Sequence, residues 1–250
     1  MQLVSWNLNG LEDHCLDERT EAAMFQMLLG APPEKVMLKG IKPNMPDIIV
    51  LQEVVERSFY AHIKPHLKAA GFHIYPEAPA ERSYFEVIAS REAFGETQYQ
   101  RFSWTEQGRG LSMARLKNGL CVMTAHMESQ KSGSAMRVDQ AKEISALMTR
   151  HSPCVFAGDT NLRKKEWLSL DHTGEKTELK TGIKDAWEAL GAPESHKITW
   201  KNRHYKARYD RVWTHALGTP TSFETFGKDE IAGIQMPVSD HYALRVSFDF

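Results

Sequence analysis

Short apolar runs rich in valine and isoleucine alternate along the chain with longer stretches in which apolar residues recur at helical spacing. Runs of about four to eight apolar residues bounded by turn-forming residues are typical of buried strands. This pattern predicts strands over residues 2–6, 47–52, 85–89, 111–116, 120–125, 154–158, 211–214 and 242–248. Helical spacing predicts helices over residues 18–29, 58–70, 135–148 and 183–190.

The order of these elements indicates the fold class. Lys117, Asn118 and Gly119 separate two predicted strands, and Asn-Gly in that position is a strong hairpin signal. Because hairpins occur beside interspersed helices, a purely parallel sheet is disfavoured, and two mixed β-sheets packed together with outer helices fit better. Residues 30–44, with several prolines and glycines, predict a surface excursion rather than a domain boundary. We therefore expect residues 1–250 to form a single α/β domain.

Composition narrows the class of protein further. Of 250 residues 42% are hydrophobic, which is typical of a globular protein with a sizeable core. The net charge of -1 neither indicates nor excludes nucleic-acid binding, because a local basic patch suffices. Cys15, Cys121 and Cys154 are widely separated, which argues against a disulfide framework and favours a reducing compartment. With no recognisable targeting or membrane-spanning segment, we expect an intracellular protein, nuclear in a eukaryote and cytoplasmic otherwise.

Polar residues directly follow the ends of several predicted strands, where binding and catalytic residues are often placed. Glu53 comes after a fully apolar strand, and a buried carboxylate without a partner is costly, so Glu53 either faces a cation or begins the next helix. Mg²⁺ prefers oxygen ligands and keeps several waters, so one carboxylate can anchor it. Asn7 can donate to a phosphate oxygen and Asn9 can offer a carbonyl to a cation; the alternative is an ordinary Asn-Gly turn.

Two further strand ends carry candidate acid–base groups. Asp159 and Asn161 can together polarise and aim a water molecule, although an Asx-turn would use the same residues. His126 could contact a phosphate or orient a carboxylate, but a lone histidine after a strand is more often structural.

Asp240 and His241 precede the last strand. Asp240 could contact a metal ligand from behind, and His241 could hold a phosphate as a cation. Alternatively, the two residues form an ordinary surface pair. Asp210 is a candidate to orient His241 and to keep it protonated.

Basic and aromatic residues interleave between residues 197 and 211. They are Lys197, Trp200, Lys201, Arg203, Tyr205, Lys206, Arg208, Tyr209 and Arg211. Cations that follow phosphates and rings that stack on bases are what a single nucleic-acid strand requires. The alternative is a solvated basic hairpin with core aromatics.

Four segments, taken in order, resemble the signature of the endonuclease/exonuclease/phosphatase superfamily. They are Trp6-Asn7, Gln52-Glu53, Gly158-Asp159-x-Asn161 and Ser239-Asp240-His241. The resemblance extends over residues 3–248. It implies a four-layer αββα sandwich of two mixed β-sheets flanked by helices, with the active site at one mouth of the sandwich, in one catalytic domain.

Three segments, 124–129, 156–163 and 185–191, resemble one branch of that superfamily. The resemblance implies a Mg²⁺-dependent phosphodiesterase, with Mn²⁺ as a plausible substitute. Such an enzyme hydrolyses the 5′-phosphotyrosyl bond between DNA and a trapped topoisomerase II and leaves a 5′-phosphate. The implied partner is the single-stranded 5′ end of DNA carrying a tyrosyl peptide, and we expect a monomer that does not bind membranes.

The same resemblance assigns roles to individual residues. Glu53 resembles the metal ligand, and Asn9 lies near the metal where the family commonly has an aspartate. Asp159 resembles the residue that positions and deprotonates water, and the groups around the phosphate would be Asn7, Asn161, His126 and His241. Substrate contacts are implied for Trp200, Tyr209, Arg163, Ser129, Lys131, Tyr84 and Arg208.

Three alternatives remain. One is an abasic-site endonuclease or exonuclease III-like nuclease of the same superfamily, against which the residues 159–163 and the His-Met-Glu-Ser segment speak. A lipid or inositol phosphatase fits the basic-aromatic stretch poorly. A non-catalytic nucleic-acid-binding module would be expected to have lost Glu53, Asp159 or His241.

Overall fold

The computed structural model describes residues 1–30, 45–79, 82–173 and 178–249. In chain order the strands are β1 (Gln2–Asn7), β2 (Ile48–Val54), β3 (His73–Tyr75), β4 (Phe85–Ser90), β5 (Phe94–Arg101), β6 (Gly110–Leu116), β7 (Cys121–Ala125), β8 (Cys154–Asp159), β9 (Lys184–Asp185), β10 (Trp200–Lys201), β11 (Lys206–Ala207), β12 (Asp210–His215), β13 (Pro220–Phe226), β14 (Glu230–Ile231), β15 (Met236–Pro237) and β16 (Ala243–Phe248).

The helices within the same ranges are fewer and of unequal length. They are α1 (Leu16–Leu29), α2 (Glu56–Ser58, π-helical Phe59–Ile63 and Lys64–Ala69 in succession), α3 (Ser134–Arg150), α4 (Lys164–Leu168) and α5 (Ala186–Ala189), with 3₁₀ turns at Lys131–Gly133 and Glu194–His196. None of these helices has the length and apolar character needed to span a membrane.

Two six-stranded sheets form the centre of the molecule. The first has the order β13-β16-β1-β2-β4-β3 and the second the order β5-β6-β7-β8-β12-β9. Both are mixed, because β1 pairs with β2 and β7 with β8 in parallel while their other neighbours are antiparallel. The predicted Asn-Gly hairpin is confirmed, since β6 and β7 are antiparallel and Gly119 has a φ of 93°.

Three hydrophobic clusters define the layers. Leu3 and Val155 belong to the cluster between the two sheets. Met24 of α1 packs in a second cluster on the outer face of the first sheet, and Ile144 of α3 packs in a third on the outer face of the second sheet. The order is therefore helix, sheet, sheet, helix, and the predicted αββα sandwich is confirmed.

The eight predicted strands all lie in the interior of the two six-stranded sheets, and the strands of these sheets that the pattern missed, β3, β5, β9 and β13, lie at the edges. The pattern also missed the short strands β10, β11, β14 and β15, which form two separate two-stranded sheets. Interior strands are covered on both faces and therefore appear as continuous apolar runs. The edge strand β5 has mostly exposed side chains, so its sequence carries no apolar run. The helix predicted over 183–190 is wrong in its first part, which is the edge strand β9. Asp185 there accepts the N–H groups of Trp187 and Glu188 and so begins α5.

The surface excursion predicted over residues 30–44 lies outside the described residues except for Gly30, which ends α1 with a φ of 73°. Gly158 lies within β8. A Cβ atom at Gly158 would be 2.4 Å from the carbonyl oxygen of Ala125 on the neighbouring strand. Glycine is therefore required there for the close approach of two backbones.

Gly158→Ala is expected to lower the free energy of unfolding by about 1–3 kcal/mol, because the added methyl group forces the β7 and β8 backbones apart. Urea unfolding monitored by circular dichroism measures the change. The matched control is Gly95→Ala in β5, where the nearest atom to the added Cβ is a carbonyl oxygen at 3.6 Å. Equal stabilities of the two variants would contradict this account of Gly158.

Candidate active site

Three inward-facing rows of side chains end in polar residues at the same mouth of the sandwich. The rows are Leu3-Ser5-Asn7 in β1, Val122-Thr124-His126 leaving β7, and Val155-Ala157-Asp159 in β8. Alternate residues of a strand face the same side, so each polar residue continues an apolar row into the space between the sheets. The site is therefore made by the ends of the core strands.

Glu53 reaches the same space by a different route. Leu51 faces α2, so strict alternation would point Glu53 outward as well. Instead Glu53 has a φ of 52°, in the left-handed region, and the β2–β4 register shifts beside it. Gly10 packs over this point and donates its N–H to the Glu53 carbonyl, where a Cβ at position 10 would lie 2.2 Å from that oxygen. The local backbone thus turns the carboxylate inward.

Asn7 joins the two sheets through its side-chain amide. Its Nδ2 donates to Glu53 Oε1 at 3.2 Å and to Asp159 Oδ2 at 3.0 Å. His126 lies between the same carboxylates, with Nδ1 3.3 Å from Glu53 Oε1 and Nε2 3.4 Å from Asp159 Oδ2. Nδ1 of His126 has no partner with hydrogen-bond geometry within the described residues. Both predicted carboxylates therefore share one pocket.

His241 approaches Asp159 from the opposite side. Its Nδ1 is 2.9 Å from Asp210 Oδ2, and its Nε2 is 3.6 Å from Asp159 Oδ2. Ser239 Oγ donates to the Asn7 carbonyl at 2.7 Å and accepts the His241 N–H at 3.0 Å. The loop that carries His241 is thereby tied to the end of β1, and Asp210 lies where the sequence predicted it.

Burial shifts the pKa values of His126, Asp159 and Glu53 away from their ordinary values. Burial, together with the charges of Arg109 and His241, holds the pKa of His126 well below 6.5, so this imidazole is neutral at pH 7. Burial raises the pKa of Asp159 to about 7, with His241 opposing the rise and Asp210 adding to it. Burial also raises the pKa of Glu53, against the hydrogen bond from Asn7.

His241 has the opposite shift. Burial alone would lower the pKa of His241, but the carboxylates of Asp210 and Asp159 outweigh burial and raise it to about 10. At neutral pH the pocket therefore holds one neutral histidine and one imidazolium. The imidazolium has a carboxylate on either side.

Glu53 has the features of a ligand to a hard cation. Its side chain is 15% exposed, and in the described part of the chain no lysine or arginine forms an ion pair with it. Because burial disfavours its charged form, a divalent cation at the mouth would offset that cost. The residues present therefore fit a metal ion at Glu53.

A second group could also hold a metal. Asp159, Asp210 and His241 each place one donor atom within 4.8 Å of the others. This set already contains its own positive charge, because the two carboxylates hold His241 protonated. A protonated imidazole nitrogen cannot bind a metal, so we favour Glu53 as the anchoring ligand.

The two asparagines predicted beside these carboxylates occupy different settings. Asn161 donates its backbone N–H to Asp159 Oδ1 at 3.0 Å and its amide to the Met127 carbonyl at 3.3 Å. Asn9 donates its backbone N–H to Asn7 Oδ1 at 3.0 Å, while its side chain forms no hydrogen bond within the described residues. Both have positive φ values, 50° and 48°, like Glu53.

An aromatic pair lies beside the His241 loop. The Trp200 and Tyr209 rings are 5.3 Å apart at an interplanar angle of 43°. Trp200 Nε1 donates to Asp240 Oδ2 at 2.8 Å. Asp240 therefore orients the aromatic pair in this structure, whereas the sequence suggested a place behind the metal. The pair lies beside the loop that carries Asp240 and His241, and its contact with a nucleic-acid strand stays a prediction.

The opposite rim is formed by residues on either side of His126. The Tyr84 ring is 6.0 Å from that of His126, and the guanidinium of Arg109 lies 5.1 Å from the Tyr84 ring centroid. Ser129 donates through N and Oγ to Gln107 Oε1, and Lys131 is exposed in the 3₁₀ turn. Tyr84 therefore lies beside His126, and Gln107 holds both hydrogen-bond donors of Ser129.

The buried Arg109 and Glu128 were missed by the sequence analysis. Glu128 accepts the backbone N–H groups of Glu106 and Gln107 and so shapes the loop before Arg109. An arginine and a glutamate in irregular segments carry no periodic signal, so only their tertiary contacts reveal them.

Arg208 requires a correction. Its guanidinium is 9% exposed, pairs with Asp185 and lies 4.3 Å from the ring centroid of Trp187, so it is not available to a phosphate as expected. Arg163 is more open, at 39% side-chain exposure, although its N–H and guanidinium both contact Glu166. Asp185 thus holds Arg208 and Arg211 at the start of α5.

No protein-family model matches the chain. Over 269 residues it is 29% identical to tyrosyl-DNA phosphodiesterase 2 of Bos taurus, covering 98% of this chain and 67% of that protein. It is 28% identical over 270 residues to the Homo sapiens protein of the same name, covering 99% of this chain and 67% of that protein. The chain therefore spans about two thirds of the length of these relatives. It is similar to tyrosyl-DNA phosphodiesterase 2.

Solved structures agree on the fold. A humanized Danio rerio tyrosyl-DNA phosphodiesterase 2 superposes with a TM-score of 0.79 at 24% identity, covering 100% of this chain and 99% of that one. The Danio rerio enzyme with a single-strand DNA product gives 0.78 at 24%, with the same coverage. A 3′–5′ exonuclease of Neisseria meningitidis gives 0.68 at 18%, covering 100% of both chains. The chain therefore shares the αββα sandwich fold of these structures, as the sequence predicted.

Asp210→Asn is expected to lower the pKa of His241, because it removes the carboxylate hydrogen-bonded to Nδ1. NMR titration of the imidazole measures this directly, with His151 on the outer face of the other sheet as an internal control. The folded-state pKa lies above the ordinary value of 6.5, so the stability that His241 contributes is complete below pH 6.5 and is lost as the pH rises through about 10. The stability difference between the two proteins should therefore shrink from pH 7 to pH 10. An unchanged titration would refute the pairing.

Proposed function

We propose that this protein is a Mg²⁺-dependent phosphodiesterase that hydrolyses 5′-phosphotyrosyl bonds on DNA and leaves a 5′-phosphate. The observation that carries the proposal is the convergence of both sheets on one pocket, where Asn7 Nδ2 contacts Glu53 and Asp159 together. The similarity to tyrosyl-DNA phosphodiesterase 2 over nearly the whole chain supports the choice of substrate. On the basis of the same similarity, we propose that the bond hydrolysed is the one that links DNA to a trapped topoisomerase II.

Asp159 is suited to activate the attacking water. Its carboxylate is fixed by hydrogen bonds from the Asn161 N–H and from Asn7, so its free lone pairs have a defined direction. Because burial raises its pKa to about 7, it is a stronger base than an exposed aspartate and still largely ionised above neutral pH.

His241 and His126 have complementary parts in the proposed reaction. The imidazolium of His241 places a positive charge beside Asp159, where negative charge develops on the phosphate oxygens in the transition state. The neutral His126 can donate one hydrogen bond without adding a second cation. The leaving phenolate has an ordinary pKa of about 10, so it departs without the full protonation that a sugar alkoxide needs.

Glu53 would hold the Mg²⁺ ion, and Asn9, whose side chain forms no hydrogen bond within the described residues, would offer it a side-chain carbonyl. When bound, the ion supplies Lewis-acid neutralisation of the phosphate. Mn²⁺, which also accepts oxygen ligands, is a plausible substitute.

The strand of DNA would follow the aromatic pair and the hairpin of β10 and β11. Lys201, Arg203 and Lys206 are exposed on that hairpin, and Trp200 and Tyr209 offer rings at its base. Such an arrangement suits a single strand with unpaired bases. One chain supplies every group named, which supports action as a monomer, and the free cysteines support an intracellular location.

A 5′-phosphotyrosyl oligonucleotide with Mg²⁺ is expected to release tyrosine, and a chelator should stop the reaction. Asp159→Asn should reduce kcat by about 100- to 10 000-fold, because the base is lost. Glu53→Gln should behave similarly and should also raise the Mg²⁺ concentration needed for half-maximal rate. Product analysis by gel or mass spectrometry measures both.

The control for these variants is Glu96→Gln on the exposed edge strand β5, which should keep full activity. Circular dichroism must confirm that all variants remain folded. Near-normal turnover by either site variant would contradict the assigned roles. Faster cleavage of an abasic duplex than of the tyrosyl strand would favour the exonuclease III-like alternative.

Tyr209→Ala should raise KM for an oligonucleotide substrate about 5- to 150-fold, as expected for one lost stacking contact of ~1–3 kcal/mol. The value of kcat at saturating strand should change little. Tyr60→Ala provides the control, because Tyr60 is 48% exposed on α2. If the two variants have the same KM, the strand does not follow the aromatic pair.

A further inference from the structure

A buried arginine of α1 links two loops that carry site residues. Arg19 is 2% exposed, and within the described residues its guanidinium donates only to backbone carbonyls. Nη1 lies 2.9 Å from the carbonyl oxygen of Val238 and 3.3 Å from that of Leu8. Nη1 and Nη2 lie 3.4 and 3.3 Å from the carbonyl oxygen of Asn9. The remaining acceptors, in the loop before α1, are the carbonyls of Glu12 and His14.

The absence of a carboxylate partner sets this arginine apart. Within the described residues no aspartate or glutamate forms a salt bridge with Arg19, whereas the buried Arg137 pairs with Glu166. Placing a guanidinium in the core is costly unless its donors are satisfied, and here the satisfying groups are carbonyls of two separate loops. The interaction therefore fixes backbone positions.

The first loop leads directly to Asn7. Arg19 holds the carbonyl of Asn9, whose own N–H donates to Asn7 Oδ1 at 3.0 Å. With that oxygen engaged, the amide of Asn7 can only turn Nδ2 toward Glu53 and Asp159. The orientation of the bridging amide thus depends on the position of the Asn9 peptide.

The second loop leads to His241. The carbonyl of Val238 is followed by Ser239, whose Oγ joins the Asn7 carbonyl to the His241 N–H. A shift at Val238 would therefore move Ser239 and His241 relative to the end of β1.

We propose that Arg19 is a positioning residue for the reaction, which sets the orientation of Asn7 and the distance between the Asn7 and His241 loops. Its effect on turnover rests on the proposed phosphodiesterase activity, but its effect on the amide of Asn7 does not. Arg19 lies behind the loops and does not touch the pocket that Glu53, Asp159 and His126 surround.

Arg19→Met, which keeps the length and apolar stem, is expected to lower kcat on a 5′-phosphotyrosyl oligonucleotide about 100-fold with little change in KM. A displacement of about 1 Å in positioned groups has effects of this size. Arg19→Lys should recover only part of the rate, since one ammonium cannot reach both loops in the planar geometry of the guanidinium.

The matched control is Arg245→Met. Arg245 is also buried, at 7% exposure, and donates to the Gln26 carbonyl near the other end of α1, but it contacts neither loop of the site. A loss of kcat in Arg245→Met as large as in Arg19→Met, at equal thermal stability, would reduce Arg19 to a structural role and overturn the proposal.

A double-mutant cycle with Asn7→Ala tests the pathway. If Arg19 acts through Asn7, its substitution should cost much less in the Asn7→Ala background than in the native protein, whereas Arg245→Met should have the same small effect in both. Fully additive losses for Arg19 and Asn7 would refute action through this amide.

The side-chain NH₂ resonances of Asn7 provide a readout that needs no substrate. In the native protein they should be sharp and protected from exchange with solvent, and in Arg19→Met they should broaden and exchange faster, while Arg245→Met leaves them unchanged. Unaltered resonances in Arg19→Met would contradict the proposal. If the native protein has no phosphodiesterase activity, the proposed function fails, and this measurement still decides the part played by Arg19.

Discussion

The amide of Asn7 is the contact on which the site depends. It comes from β1 in the first sheet and donates to Glu53 in the same sheet and to Asp159 in the second. Gln52 of the first sheet also donates to Thr124 of the second at 2.9 Å, but most side chains between the sheets are apolar and impose no direction on polar groups at the mouth. The hydrogen bonds of the Asn7 amide therefore fix the positions of the Glu53 and Asp159 carboxylates relative to each other at the open mouth of the sandwich.

Charge within that pocket is controlled by where each group lies. His126 is neutral because it is buried near Arg109 and His241, whereas His241 is an imidazolium because carboxylates flank it. Two histidines a short distance apart thus acquire opposite roles without any difference in chemistry. Asp159, with its pKa raised to about 7, lies between them and can accept a proton near neutral pH.

Much of this arrangement is encoded locally. The interior strands are covered on both sides, so their sequences are continuous apolar runs, and the polar residues that end them, such as Asn7, His126 and Asp159, are visible from pattern alone. The edge strands cannot be predicted from apolar runs. In β5, for example, most side chains are exposed to solvent, so its sequence contains no apolar run.

Features that depend on contacts between distant segments could not be predicted from the sequence. The inward turn of Glu53 requires a left-handed residue packed against the Gly10 loop. Arg208 was predicted to contact the substrate because it lies among other cations in the sequence. In the structure its guanidinium instead donates to Asp185, 23 residues earlier. Charge alone does not reveal which cations a folded chain leaves free.

Asn9, Glu53 and Asn161, all at the mouth of the sandwich, have left-handed backbone conformations. Conformations of this kind cost on the order of 1–3 kcal/mol each, and they persist because the surrounding layers leave no alternative. The empty protein therefore already has the backbone geometry in which a cation and a phosphate would bind. A cation and a phosphate that bind the folded protein but not the unfolded chain would stabilise it by mass action, so the occupied protein would unfold at a higher temperature than the empty one.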